Sequence, residues 1–246
     1  EALPHVPYSV HLSLYRDETS RAATWHVPRA HCYEQWSDAR AADGTLTLVQ
    51  PAIAPLYGGH SEYELLALLA GAGTTDPHRL LRERLRVQWG LVPGESFELR
   101  WRETLRQGFV AGSASAPLDL TPARLPDMPA FDAAPLVVQL TADASTDDGS
   151  FANNGWLQEL PRPFTKITWD NAALMSERTA AELGLASGDV VALGHIDTGT
   201  QSTVEAPVWI MAGQADGVIT LPLGYGRRAA GRVGDGVGCD AYALKR

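Results

Sequence analysis

The chain has 246 residues, 45% of them apolar, and a formal net charge of -9 at pH 7. This length and apolar content suffice for a substantial core and favour one large or two small domains. No apolar run approaches the ~20 residues of a membrane-spanning helix, so direct membrane insertion is not expected. The chain begins at Glu1, and we expect it to be an internal or C-terminal piece of a longer protein.

Residues 1–75 have the pattern of α/β structure. Apolar runs predict strands at residues 10–14 and 46–49, and apolar residues at helical spacing predict a helix over residues 61–70. Prolines and glycines between residues 51 and 59 break the chain between these elements. If an N-terminal part is missing, residues 1–70 should expose apolar surface, and association of the isolated chain is expected.

Residues 76–135 are predicted to connect the α/β region at residues 1–75 to the C-terminal region at residues 136–246. Leucines at helical spacing predict two helices between residues 71 and 110, separated by residues 90–94. The arginines of this region form one basic cluster, Arg79, Arg82, Arg84, Arg86, Arg100, Arg102 and Arg106. Such a cluster is typical of a solvated helix face, so no nucleic-acid partner is expected. Proline-rich residues 112–135 are predicted to form a linker or an extended surface strap.

Residues 136–246 alternate short strands with one short helix. A strand is predicted at 136–140, followed by a polar and mobile segment over 141–150. Ser176 is the predicted N-cap of a helix over 177–183 that ends at Gly184. Further strands are predicted at 190–193, 204–211 and 217–221. Short strands joined by one short helix suit a small, nearly closed barrel, and we predict a double-psi β-barrel.

Cysteine and histidine positions predict neither a metal site nor a catalytic centre. Cys32 and Cys239 lie far apart without a C-x-x-C partner, which argues against a zinc or iron–sulfur site built from cysteine. A disulfide between them stays open. The histidines are scattered, and His26 and His31 are too far apart to share one helical face. The chain itself is therefore not expected to be catalytic.

Several runs resemble the molybdopterin oxidoreductase family. Residues 24–34 (TWHVPRAHCYE), Gly44 and residues 50–56 (QPAIAPL) resemble the stretch that closes the family's large Rossmann-like region. Residues 175–193 resemble its C-terminal dinucleotide-binding barrel. The resemblance implies a remnant of a Rossmann-like α/β domain at 1–75, a helical and proline-rich connecting segment at 76–135 and a double-psi β-barrel at 136–246.

The resemblance is closer to one branch of that family. Residues 36–40 (WSDAR), 57–59 (YGG), 101–105 (WRETL) and 221–242 resemble the large iron–sulfur and molybdopterin-like subunit of alternative complex III. This implies a structural domain in a quinol-oxidising respiratory complex, on the periplasmic side of the cytoplasmic membrane. Its partners would be other subunits of that membrane-associated complex and the rest of its own chain. Iron–sulfur clusters would lie in parts of the protein outside these residues.

The family resemblance also implies loops that hold a molybdopterin guanine dinucleotide in catalytic relatives. The matching positions are Asn153, Asn154, Gly155, Asn171, Leu223, Gly224, Tyr225 and Gly226. Fixed amides, with glycines that allow close backbone approach, suit a ligand that has many donors and acceptors. Alternatives stay open: an ordinary turn at residues 153–155, a capping role for Asn171, and a bend that requires Gly224 and Gly226.

The sequence departs from the pattern of the catalytic relatives at two places, and the second bears on cofactor binding. Met175 and Ser176 stand where relatives carry asparagine and proline, a conservative change. Residues 153–156 lack the basic and hydroxyl side chains that would meet phosphates, which argues against cofactor binding. The hypotheses are a structural domain, the cofactor-binding domain of an active molybdopterin guanine dinucleotide-dependent oxidoreductase, and a protein-binding barrel module. A pocket at Asn153, Asn171 and Tyr225 that is filled by its own side chains would favour the first.

Overall fold

The computed structural model describes residues 2–118, 127, 136–194 and 203–245. The chain divides into two compact units. Unit 1 consists of Glu1–Tyr15 and Thr19–Pro126, and unit 2 of Arg16–Glu18 and Asp127–Arg246. Most of the predicted proline-rich linker, residues 119–126 and 128–135, lies outside the described residues.

Unit 1 contains two small sheets. Strand β1 (Val10–Ser13) pairs in parallel with β2 (Trp25–Pro28), and helix α1 (Glu18–Ala22) comes between them in the chain. Strand β3 (Ser37–Arg40) pairs antiparallel with β4 (Leu46–Val49). The strands predicted from the apolar runs at 10–14 and 46–49 are confirmed.

Helices α2 (Glu62–Leu69), α3 (Pro77–Gln88) and α4 (Glu95–Gln107) follow in the chain. Helix α2 starts with a capping box, in which the Ser61 side chain accepts from the Glu64 N–H and the Glu64 carboxylate accepts from the Ser61 N–H. Helix α4 ends at Gly108, whose φ of +81° is the left-handed conformation that glycine adopts without strain. The predicted helices and the break at residues 90–94 are confirmed.

The core of unit 1 forms where α3 and α4 pack on β4. Its buried apolar side chains are Leu46, Leu48, Leu81, Leu85, Phe97, Trp101 and Val110. In the basic cluster, Arg84, Arg86 and Arg106 pair with Asp38, Glu83 and Glu103. The Arg82 guanidinium lies over the rings of Phe97 and Trp101. Helix α2 differs from α3 and α4 because it is largely apolar, and it leaves Leu66, Leu68 and Leu69 exposed.

Unit 2 is built on a five-stranded mixed sheet in the order β5-β9-β6-β8-β7. The strands are β5 (Val137–Thr141), β6 (Ala173–Met175), β7 (Val190–Gly194), β8 (Thr203–Ile210) and β9 (Val218–Pro222). Pairs β5/β9 and β6/β8 are parallel, whereas β6/β9 and β7/β8 are antiparallel. The strands predicted in residues 136–222 are therefore confirmed, with crossed connections between them.

The described residues of unit 2 also contain the helices α5 (Gly155–Glu159) and α6 (Glu177–Leu183). Helix α6 confirms its prediction: the Ser176 hydroxyl accepts from the Thr179 N–H, and Gly184 ends the helix with φ +67°. The core of the unit lies between α6, the sheet and a 3-10 turn at Ala241–Leu244, and its largest buried apolar residues include Met175, Val208 and Leu221.

The expectation of a polar, mobile segment over residues 141–150 is corrected. Ser145 and Thr146 are buried, and both backbone N–H groups donate to Oδ1 of Asp143, at 2.8 and 2.9 Å. A carboxylate that binds the N–H groups two and three residues ahead closes a local turn. Polar composition therefore marks a buried, hydrogen-bonded turn at this place.

Candidate functional site

Asn171 lies at the start of the candidate site, immediately before β6. Its side chain is buried, and its Nδ2 donates to the carbonyl oxygens of Pro222 at 2.8 Å and Cys239 at 3.1 Å. Its Oδ1 accepts from the Cys239 N–H at 2.8 Å. The amide thus joins the end of β9 to the C-terminal segment, and both of its donor hydrogens have protein acceptors.

The turn after β9 contains the next predicted residues. Leu223 donates its N–H to the Thr141 carbonyl at 2.8 Å, which extends the β5/β9 pairing by one bond. Gly224 has φ +94°, and a Cβ there would lie 2.7 Å from Oγ1 of Thr146. Gly226 has φ +69°, and a Cβ there would lie 2.2 Å from the Asp240 backbone nitrogen. Both glycines are required because protein backbone or side chains fill the space beside them.

Tyr225 lies between these glycines, with 2% of its surface exposed. Its hydroxyl lies 3.4 Å from Oδ1 of Asp143, and the Arg162 guanidinium carbon lies 5.4 Å from its ring centroid. The phenol is therefore held on one edge by a carboxylate and on one face by a cation.

A buried ion pair forms the centre of the site. Arg162 donates from Nη2 to Oδ1 of Asp143 at 3.0 Å and from Nε to Oδ2 at 3.2 Å, with side-chain exposures of 9% and 5%. Nη1 of Arg162 donates to the Ile167 carbonyl at 3.3 Å. This fork-to-carboxylate geometry is strong and directional, and it fixes the turn over Tyr225.

The predicted loop at residues 153–155 has local roles. Asn154 is the N-cap of α5, since its Oδ1 accepts from the Leu157 N–H at 3.2 Å, and Gly155 is the first residue of that helix. Asn153 Oδ1 accepts from the Val233 N–H at 3.2 Å, and its amide group fills the space beside Gly231. The loop therefore binds another part of unit 2 through Asn153 and starts a helix through Asn154.

The structure brings Asn171 and Tyr225 to one region, together with two residues that the sequence analysis did not select, Asp143 and Arg162. Beside them is a cavity of about 190 Å³ lined by both charged residues, Asn171, Pro222 and neighbouring side chains. The pattern Asp-x-Ser-Thr at 143–146 is an available signal for the turn at Asp143. No local pattern marks Arg162, because its partner is distant in the sequence.

The two cysteines are free thiols, so the open disulfide alternative is not realised. Cys239 is bound through its backbone to Asn171, and burial, followed by the nearby Asp170 carboxylate, raises the pKa of its thiol to about 11. A thiol with so high a pKa is a poor nucleophile at neutral pH. Among the described residues there is no group of three or more His, Cys, Asp or Glu side chains that could hold a metal ion.

Unit 1 contains a larger cavity of about 850 Å³ between β3, α2 and α3. Its walls are mostly apolar, and its polar edge contains Tyr63, which donates to Asp38 and accepts from Arg84 at 3.0 Å. Burial and then the hydrogen bond to Asp38 raise the pKa of Tyr63 to about 12, against the opposing effect of Arg84. Tyr63 therefore acts as a neutral hydrogen-bond donor at physiological pH.

The fold of the chain is similar to that of a solved enzyme structure. The chain superposes on acetylene hydratase from Pelobacter acetylenicus, a molybdopterin-family enzyme, with a TM-score of 0.65 over 95% of its length. The sequence identity is 16%, and the match spans 37% of the acetylene hydratase chain. No family model matches the sequence, and no curated protein matches it. The helices within the described ranges are all too short or too polar to cross a lipid bilayer.

Proposed function

We propose that the chain is a structural molybdopterin-like domain within a subunit of a quinol-oxidising respiratory electron-transfer complex. In this proposal unit 2 is a double-psi β-barrel that supports neighbouring parts of the complex and holds no pterin. The partners are other subunits of the complex and the rest of its own chain, with iron–sulfur clusters outside these residues. The location is the periplasmic side of the cytoplasmic membrane.

The observation that supports this proposal is the internal use of the predicted cofactor residues. Asn171 uses both donor hydrogens and its acceptor oxygen on Pro222 and Cys239, and the buried Tyr225 hydroxyl faces the carboxylate of Asp143. A pterin or guanine edge would need these same donors and acceptors to be available. The polar groups are satisfied by the protein itself, so binding would require breaking buried hydrogen bonds.

The size of the cavity and the pairing of its arginine also argue against a bound pterin. The cavity beside these residues has a volume of about 190 Å³, below the ~300–1,000 Å³ typical of pockets for small molecules. The Arg162 guanidinium, the group suited to a phosphate, is already bound on two nitrogens by Asp143 in a buried ion pair to which solvent has little access. The residues present therefore do not fit a molybdopterin guanine dinucleotide, and no chemical step is assigned to one.

The proposed absence of pterin can be tested by measuring the cofactor content of the full-length protein. The protein is purified from its native host, molybdenum is measured by elemental mass spectrometry, and pterin is measured by fluorescence after oxidation. An active molybdopterin guanine dinucleotide enzyme from the same cells is the positive control. We expect well under one-tenth of a pterin per chain. One or two pterins per chain would instead establish the cofactor-binding domain of an active oxidoreductase.

The role in a complex requires a separate test. An affinity tag on the full-length protein, followed by mild detergent extraction of membranes, should recover redox subunits in fixed stoichiometry together with quinol oxidation activity. Recovery of the tagged protein alone, free of membranes, would contradict the role in a complex without bearing on the pterin result. A full-length structure in which the unit 2 strands form an open sheet covered on both faces by helices would contradict the barrel.

A further inference from the structure

The segment after Gly226 presents a row of backbone N–H groups to carboxylates. Arg228 and Ala229 donate their N–H groups to Oε1 of Glu18, at 2.9 and 2.8 Å. Ala230 and Gly231 donate theirs to Oδ1 of Asp235, at 2.6 and 3.1 Å. Four consecutive amides therefore bind anionic oxygen, the arrangement by which backbone concavities bind anions. We call residues 227–231 the amide row.

A guanidinium completes the amide row. Arg227 donates from Nη2 to Oε2 of Glu18 at 2.5 Å, and from Nη1 to the Gly149 carbonyl at 2.7 Å. The Gly149 contact holds the guanidinium in place, with 25% of the Arg227 side chain exposed. Both oxygens of the Glu18 carboxylate are thus bound, one by an arginine and the other by two amides.

The environment strongly favours an anion at the Glu18 position. Burial alone would raise the pKa of this carboxyl, but the Arg227 hydrogen bond and the backbone N–H groups outweigh it and lower the pKa to about 2. Arg227, Arg228 and Arg232 add positive charge along the segment, against Asp235 within it and Asp148 near Arg227. Without Glu18, the Arg227 guanidinium and the N–H groups of Arg228 and Ala229 would lose the anionic partner that they share.

Glu18 occupies this position as a ligand would. Asp235 lies within the same loop as the amides it binds, whereas Glu18 comes from a segment 209 residues away in the sequence. Its carboxylate supplies two oxygens in a plane to one guanidinium and two adjacent N–H groups. A phosphate group could accept from the same guanidinium and the same two N–H groups through two of its oxygens, and it has further oxygens to spare. Consecutive backbone N–H groups of this kind often bind phosphate in proteins.

We propose that the Arg227 guanidinium and the Arg228 and Ala229 N–H groups of the amide row form a binding site for a phosphate group, and that Glu18 closes the site as an internal substitute for this anion. Release of residues 16–18 opens the site, and phosphate then takes the contacts of the carboxylate. The site differs from the predicted pterin loops, and it stands whether or not the proposed function holds.

The experiment compares phosphate binding by wild type and the Glu18→Ala variant in the full chain. Inorganic phosphate and glycerol 3-phosphate are titrated by calorimetry, with chloride adjusted to constant ionic strength. We expect saturable one-site binding to Glu18→Ala, at least tenfold tighter than to wild type. Tighter binding of the ester than of inorganic phosphate would identify a phosphorylated metabolite as the source, and the reverse order would identify the free ion.

Matched variants separate the site from a general charge effect. Glu182→Ala removes an exposed glutamate that pairs with Arg178, and it should bind no better than wild type. Adding Arg227→Gln to Glu18→Ala should reduce phosphate affinity at least tenfold. If Glu18→Ala shows no saturable binding, or if Glu182→Ala gains as much, the proposal is wrong.

A measurement on wild type covers the case in which Glu18→Ala does not fold. Phosphate that displaces Glu18 should release the neighbouring chain and speed tryptic cleavage after Arg16, whose side chain is exposed. The expected acceleration at 100 mM phosphate is several-fold over chloride at equal ionic strength. Equal cleavage rates in the two salts would contradict displacement of Glu18.

Discussion

Replacement of Arg162 by glutamine should destabilise unit 2 by about 3 kcal/mol. Breaking a buried ion pair costs ~3–5 kcal/mol because one charge is left without its partner. The Asp143 carboxylate keeps the N–H groups of Ser145 and Thr146, at 2.8 and 2.9 Å, so the lower end of that range applies. The matched control is Arg178→Gln, which breaks an exposed pair with Glu182 and should leave the stability of unit 2 nearly unchanged.

Hydrogen exchange resolves this effect within a chain of two units. In the Arg162→Gln protein, amides of β6 and β9 should exchange about 100-fold faster than in wild type, since ~1.4 kcal/mol corresponds to a factor of ten. Peptides from α3 in unit 1 serve as the internal reference and should not change. An increase below threefold in β6 and β9, or an equal increase in the Arg178→Gln protein, would refute the stabilising role of the buried pair.

Three further outcomes are expected. Gly226→Ala should prevent folding of unit 2, because its Cβ would lie 2.2 Å from a backbone nitrogen. The control is Gly236→Ala, where φ is +73° and the space is open, and this change should lower the stability measured by thermal unfolding by only ~1–2 kcal/mol. Tyr63 has a raised pKa in the folded state, so its contribution to stability should be present below pH 10 and lost as the pH rises toward about 12. In urea unfolding curves measured over this pH range, the free energy of unfolding of Tyr63→Phe should fall less with pH than that of wild type. Asn154→Ala should remove the cap of α5 at a cost of about 1 kcal/mol, and an unchanged midpoint in urea would contradict the capping role.

Local patterns predicted four helices and six strands of the described residues and missed the short elements α1, α5, β2, β3 and β6. Ser176 and Gly184 determine the bounds of α6 through a side-chain cap and a left-handed residue, which are properties of single positions. The break between α3 and α4 likewise follows from glycine at residues 90 and 94. These features depend on neighbours within a few residues, so they can be predicted directly from the sequence.

The contacts of the candidate site could not be predicted from the sequence in the same way. Asn171 was assigned either a ligand role or a capping role, but Ser176 caps α6 and the Asn171 amide binds backbone at Pro222 and Cys239. Its partners are 51 and 68 residues away, so no local pattern marks them. Arg162 was missed for the same reason, since its partner Asp143 is 19 residues away. Asp143 was missed because the polar composition of residues 141–150 indicated only a mobile segment. Pairings between distant residues need the fold before they can be recognised.

The position of β5 in the sheet affects the order in which unit 2 can form during synthesis. Within the described part of unit 2, β5 is the first strand in the chain, and it pairs in parallel with β9 alone, the last strand there. Strand β5 therefore has no pairing partner until β9 has been synthesised. Loop closure over this distance is slow, and an edge strand that lacks its partner invites pairing with other chains. A nascent chain that stalls before Val218 should therefore be prone to aggregation and a substrate for chaperones.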